Sequence, residues 1–202
     1  MMKKTIFKAL VLGIIGLAQI AQAQDAKPQE PTTQPLKGIV KAVIETSKGN
    51  IEIELDADKA PLSVQNFVNY VNKGFYDGTI FHRVIPNFMI QGGGFTPDMQ
   101  QKAPDKTIQC ESKNGLKNLK GTLAMARTSD PHSATSQFFI NVKDNSNLDF
   151  PSFDGWGYAV FGKVTKGVEV TDEIVKAPTT KKGPHGDVPV EAITINKVTI
   201  TP

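Results

Sequence analysis

Arg83 stands in the run Phe81-His82-Arg83-Val84-Ile85-Pro86-Asn87-Phe88-Met89-Ile90-Gln91-Gly92-Gly93. A second run, Ala134-Thr135-Ser136-Gln137-Phe138-Phe139-Ile140-Asn141, follows farther along the chain. Together they offer a guanidinium, several large apolar side chains and amide donors. Arginine stays protonated and presents its donors in a rigid planar fork. A fixed cation beside an apolar pocket suits a neutral, greasy substrate carrying a polarisable amide. It does not suit a phosphate, a sugar or a metal.

Other chemistries fit the residues less well. His82, His132 and His185 are scattered and lack ligand spacing, so no metal site is expected. His82, beside Arg83 and opposite in parity, reads as a buried histidine satisfied by hydrogen bonds. Ser129, Asp130 and His132 could form a hydrolase triad. Residues so close together on one loop rarely reach that geometry, and no G-x-S-x-G motif is present. Gly92-Gly93-Gly94 lacks the Lys-Ser/Thr of a phosphate loop and reads instead as a place where backbones approach closely. Cys110 is the single cysteine, which excludes an intramolecular disulfide. With no basic partner evident nearby, it reads as a small buried apolar residue.

The elements that must position these residues are mostly short strands. Ile51, Ile53 and Leu55 alternate with polar residues, the pattern of a half-buried antiparallel strand. Ile39 to Thr46 precedes it across a turn at 47–50, which predicts a hairpin. Val64, Phe67, Val68 and Val71 form one helical stripe, with Pro61 suited to the first turn and Gly74 to the C′ position. Short β-like runs follow at 79–85, 88–92, 121–126, 136–142, 158–164 and 191–200. A second helix is predicted near 168–176. In the last run the apolar parity slips between Ile195 and Val198, which predicts a bulge. Many short strands with two helices point to a closed antiparallel barrel, since closure removes exposed edges. Phe138, Ile140 and Val142 share one strand face, and Phe139 and Asn141 the other. Met89 and Gln91 likewise oppose Phe88 and Ile90. If the first sets fill the barrel, Phe139 and Met89 face outward, as an apolar patch that binds something or as ordinary core under a loop.

The ends of the chain carry a different message. Lys3, Lys4 and Lys8 precede or flank an apolar run, and Ala21-Gln22-Ala23 is an A-x-A cleavage site. Residues 1–23 therefore read as a cleaved signal peptide, and the run is too short to span a bilayer. Residues 24–38 are proline-rich and polar, a flexible tether. Residues 39–202 form one folded domain. The chain has 23 basic and 20 acidic residues, and losing three signal lysines leaves 20 against 20. Attraction to nucleic acid or to an anionic membrane is therefore not expected of the mature form.

The Phe81–Gly93 run, G-T-L-A-M-A at 121–126, T-S-Q-F-F-I-N at 135–141 and A-V-F-G-K-V at 159–164 closely resemble the cyclophilin family of peptidyl-prolyl cis-trans isomerases. Met125 to Ala134 resembles its bacterial, short-loop branch. With the signal segment, the resemblance implies a periplasmic enzyme. It also implies a mainly β fold, a closed eight-stranded antiparallel barrel capped by two helices. Arg83 is then the catalytic residue, and no cofactor or metal is needed. Phe88, Met89, Phe139 and Leu148 correspond to the pocket for the proline ring. Gln91 corresponds to a residue that hydrogen-bonds the substrate backbone and steadies the arginine. Ala126, Arg127 and Gln137 line the adjoining groove, and Tyr158 stands where many relatives carry histidine. Arg127, where many relatives have asparagine, is expected to make the groove more cationic. Asn147 replaces a tryptophan that helps many eukaryotic relatives hold cyclosporin, so weak cyclosporin binding is expected. The implied partners are proline-containing unfolded or exported polypeptides, met by a monomer. A proline-peptide binding module or holdase chaperone would use the same pocket.

Overall fold

Strand alternation decides what the barrel encloses. In β1 (Ile39–Thr46) Ala42 and Ile44 are buried, and in β2 (Gly49–Asp56) Ile51, Ile53 and Leu55 are. These two strands form the expected hairpin, in register from Ile39 opposite Asp56 to Thr46 opposite Gly49. The computed structural model describes residues 35–202. The expected signal peptide and residues 24–34 of the tether lie outside the described residues. Leu36, at the end of the tether range, packs against the core.

The chain continues through α1 (Pro61–Asn72), β3 (Thr79–Ile85), β4 (Met89–Gly92), β5 (Thr122–Met125), β6 (Phe138–Asn141), β7 (Val160–Lys166), α2 (Val168–Ile174), β8 (Thr179–Lys182), β9 (His185–Pro189) and β10 (Thr194–Thr201). Eight strands close an antiparallel barrel in the order β1-β10-β3-β4-β6-β5-β7-β2. β8 and β9 form a separate hairpin that packs along β3. The sequence pattern did not predict this hairpin: Thr179-Thr180-Lys181-Lys182 has no apolar alternation and little burial. The bulge foreseen in the last run is present. Glu45 pairs with Lys197 and Thr46 with Ile195, so Asn196 is the extra residue. That lets both Ile195 and Val198 point inward.

The core is aromatic where α1 meets the barrel. Phe67 lies edge-on to Phe138, with ring centroids 5.5 Å apart, and Tyr76 meets the same ring at 5.7 Å. Gly74 has φ +61°, as a C′ residue after α1 requires. The N-terminus of α1 has no side-chain cap of its own. Glu111 supplies one from a distant loop, accepting the backbone N–H groups of Leu62 and Ser63 at 2.9 and 2.8 Å. A carboxylate there satisfies orphan donors and complements the helix dipole.

Candidate active site

Register builds one row of side chains across the outside of four strands. Arg83 of β3 pairs with Gln91 of β4, Gln91 with Phe139 of β6, and Phe139 with Ala124 of β5. Arg83 reaches this face through an irregularity that alternation alone would not reveal. Phe81 points into the core, and a residue two positions on should do the same. The β3–β4 ladder instead shifts between Phe81 and Arg83, leaving His82 as an extra residue. Val84, not Arg83, is the next inward side chain. A bulge that re-aims one residue is a recurrent device beside functional sites.

The row becomes a recess because loops rise around it. Arg83, Phe88, Met89, Gln91, Ala126, Arg127, Phe139, Leu148 and Tyr158 line a cavity of about 80 Å³. One water needs roughly 10–15 Å³ of such space, so the recess has room for a small ring. Met89 and Phe139 face away from the barrel interior yet are only 2% and 4% exposed. They join Ala124, Leu148 and Val160 in a second apolar cluster, with Phe88, Ala126 and Tyr158 packed against it. Both sequence alternatives thus hold in part: loop residues cover these side chains, and what stays open is a recess with an apolar floor.

A buried amide network fixes the loop walls. Asn145 donates to the carbonyl of Phe88 at 2.8 Å and to Oδ1 of Asn141 at 2.7 Å. Asn141 donates to Oδ1 of Asn118 at 3.2 Å, and the backbone N–H of Asn118 donates to Asp149 at 2.7 Å. The network thereby ties Phe88 to the segment that carries Leu148. All three asparagines are buried, where an unpaired amide would be costly. Sequence reasoning missed Asn118 and Asn145, since asparagines outside strands read as turn residues.

Within the protein Gln91 has a different partner from the expected Arg83. Its amide donates to Oε1 of Gln137 at 2.9 Å instead of steadying Arg83. Gly94 makes this possible, because a Cβ there would lie 2.5 Å from the Gln137 side chain. Gln137 therefore stands behind the lining residues and orients Gln91. Arg83 is exposed and takes part in no ion pair among the described residues.

Arg127 also corrects an expectation: it does not make the groove more cationic. Its side chain is 3% exposed and paired with Asp154. Its Nε donates to the carbonyl of Gly157 at 3.0 Å, and its guanidinium carbon lies 4.4 Å from the centre of the Tyr158 ring. The Asp154 carboxyl is held down at about 2 by the backbone N–H of Trp156, then by Arg127 and the N–H of Gly157. Phe139 meets Tyr158 edge-on at 5.7 Å.

His82 is buried as expected, but it is not fully satisfied. Its Nδ1 has no hydrogen-bond partner among the described residues. Its ring packs 4.6 Å from Phe95 and 6.3 Å from His185. Burial first, with His185 and Arg83 adding repulsion, pushes the imidazole down to about 4. Ser129, Asp130 and His132 form no relay. Asp130 accepts the backbone N–H of His132 at 2.8 Å, and Nδ1 of His132 accepts the N–H of Cys110 at 3.1 Å. Cys110 is half-buried. No group of three or more histidine, cysteine or carboxylate side chains among the described residues could hold a metal. Asn147 is exposed, and Trp156 lies elsewhere, edge-on to His132.

Residues 41–200 match the family described as cyclophilin type peptidyl-prolyl cis-trans isomerase/CLD. Peptidyl-prolyl cis-trans isomerase A of Dickeya dadantii (strain 3937) is 59% identical over 158 residues, spanning 78% of this chain and 83% of the relative. Peptidyl-prolyl cis-trans isomerase B of Escherichia coli (strain K12) is 55% identical over 158 residues, spanning 77% and 96%. A cyclophilin type isomerase of Cryptosporidium parvum, crystallised in the presence of the dipeptide Ala-Pro, shares the fold with a TM-score of 0.70 at 28% identity. The match covers 80% of this chain and 99% of that one. The chain belongs to the cyclophilin-type peptidyl-prolyl cis-trans isomerase family.

Proposed function

We propose that this isomerase interconverts cis and trans X-Pro bonds in the recess, with Arg83 as its catalytic residue. The observation that carries the reading is an exposed guanidinium, free of ion pairs among the described residues, beside an apolar recess of about 80 Å³. The ring of the proline fills the space between Phe88, Met89, Phe139 and Leu148. Gln91, oriented by Gln137, hydrogen-bonds the substrate backbone, and Ala126 and Arg127 border the preceding residues.

The barrier to rotation is about 18–20 kcal/mol, because the C–N bond has partial double-bond character. As the bond twists, the prolyl nitrogen becomes pyramidal and gains a lone pair. A guanidinium donor aimed at that nitrogen stabilises the twisted state more than either planar state, which is what lowers a barrier. Removing about 6 kcal/mol speeds the exchange on the order of 10⁴-fold. No bond breaks, so neither a nucleophile nor a general base has a part.

The substrates are proline-containing polypeptides, and the positive start, apolar run and A-x-A site of residues 1–23 support action on exported chains in the periplasm. The folded domain works as a monomer. Cyclosporin binds weakly, because polar Asn147 stands where other relatives offer an indole; nanomolar inhibition would contradict this. The activity itself is tested by exchange NMR on an Ala-Pro peptide with the mature protein. Cis–trans exchange faster than in peptide alone is expected. Line broadening from binding without faster exchange would reduce the protein to a proline-peptide binding module.

A further inference from the structure

The second arginine of the recess is fastened at each of its three nitrogens. Besides Nε, its Nη1 donates to the carbonyl of Thr128 at 3.0 Å, and Nη2 meets the Asp154 carboxylate. Oδ1 of Asp154 accepts the backbone N–H groups of Trp156 and Gly157 at 3.0 and 3.1 Å. The loop carrying Asp154 lies tight against the recess wall. Gly157 has φ +81°, and a Cβ there would sit 2.6 Å from the carbonyl of Leu148.

We propose that Asp154 is a specificity-determining residue: by holding the Arg127 guanidinium over the Tyr158 ring, it withholds a second positive charge from the groove that receives the residue before proline. The inference rests on the reading of this recess as the X-Pro site. Arg83 and Arg127 both border the cavity. Two exposed cations there would favour an acidic residue before the proline and disfavour a basic one. With Arg127 neutralised by Asp154 from the loop before β7, Arg83 acts alone, and the enzyme accepts varied sequences, as suits a catalyst working on many chains.

The test compares kcat/KM for Glu-Pro and Lys-Pro peptides in the mature protein and in Asp154→Asn. The asparagine keeps the shape and an acceptor oxygen but loses the charge that holds Arg127. The Glu-Pro to Lys-Pro ratio is expected to rise roughly threefold to tenfold, the scale of a partly exposed charge pair. The rise should shrink in high salt and vanish in the double variant Asp154→Asn/Arg127→Gln. An unchanged ratio in folded Asp154→Asn, or a rise that survives in the double variant, would overturn the proposal. Arg127→Gln alone provides a second arm even if Asp154→Asn fails to fold. Removing Arg127 leaves the Asp154 carboxylate without its counter-charge, so the ratio should fall; an unchanged ratio there would overturn the proposal. Absence of isomerisation with every peptide in the unaltered protein would instead defeat the underlying reading of the recess.

Discussion

Two arginines border one recess and are in opposite electrical states. The Arg127 side chain is buried, ion-paired with Asp154, placed over the Tyr158 ring and bonded to the carbonyls of Gly157 and Thr128. Arg83 is exposed and outside every ion pair among the described residues. The difference lies in their surroundings. Arg127 receives a carboxylate and a carbonyl from the loop before β7, and a second carbonyl from its neighbour Thr128. Arg83 sits on a strand beside a bulge, opposite Gln91, an amide that is itself committed to Gln137. An arginine held at every nitrogen and neutralised by a carboxylate is fixed for the fold, whereas one without a carboxylate can meet a developing lone pair.

The largest effect should come from removing the unpaired side chain. Arg83→Ala is expected to lower kcat/KM roughly 10²–10³-fold, the usual loss for one preorganised electrostatic donor, with little change in the urea midpoint. Arg127→Ala should show the reverse pattern. Its kcat/KM on an Ala-Pro peptide should fall less than about tenfold, while stability drops by about 1–3 kcal/mol as buried partners lose their donor. Equal kinetic losses in the two variants would erase the distinction.

His82, the bulge residue behind Arg83, gives a pH signature. Its imidazole titrates near 4 in the fold against 6.5 ordinarily. Between those values the unfolded chain takes up a proton that the folded chain refuses. Stability is therefore full above about pH 6.5 and declines as pH falls toward 4, by about 3 kcal/mol for this residue. Urea unfolding at neutral and acidic pH should show His82→Gln losing less than the parent protein over that interval. Parallel losses would contradict the burial argument. A smaller effect is expected from Asn145→Ala, which removes the donor to Oδ1 of buried Asn141 and one of the two donors to the Phe88 carbonyl. Stability should fall by about 1–2 kcal/mol, and KM should rise more than kcat falls, because the recess wall loosens while Arg83 is untouched. A rise in KM that Asn145→Asp fails to reverse even partly is compatible with this account; an unchanged KM is not.

Legibility in the sequence followed local pattern. The β1–β2 hairpin, the α1 stripe and the bulge at Asn196 were readable, because alternation and helical period are properties of neighbouring residues. The β8–β9 hairpin was not, since an exposed, lysine-rich ribbon lacks an apolar face. The lining of the recess followed from long motifs shared with a family, which encode packing that periodicity cannot express. What escaped was long-range polar pairing. Nothing near Arg127 announces that Asp154 will neutralise it, and nothing near Gln91 announces that Gly94 admits Gln137 as its partner. The bulge at His82 escaped for a related reason. Phe81, His82, Arg83 and Val84 carry no alternation that distinguishes a flipped arginine from an inward one.

The central claim is that Arg83 acts on the twisted amide and not on binding. Exchange NMR on an Ala-Pro peptide, run at concentrations that populate the bound state, measures affinity and bound-state interconversion in one sample. For Arg83→Ala the account predicts peptide affinity within about tenfold of the parent protein and bound-state exchange slowed by roughly two orders of magnitude or more. Bound-state exchange as fast in Arg83→Ala as in the parent protein would contradict it.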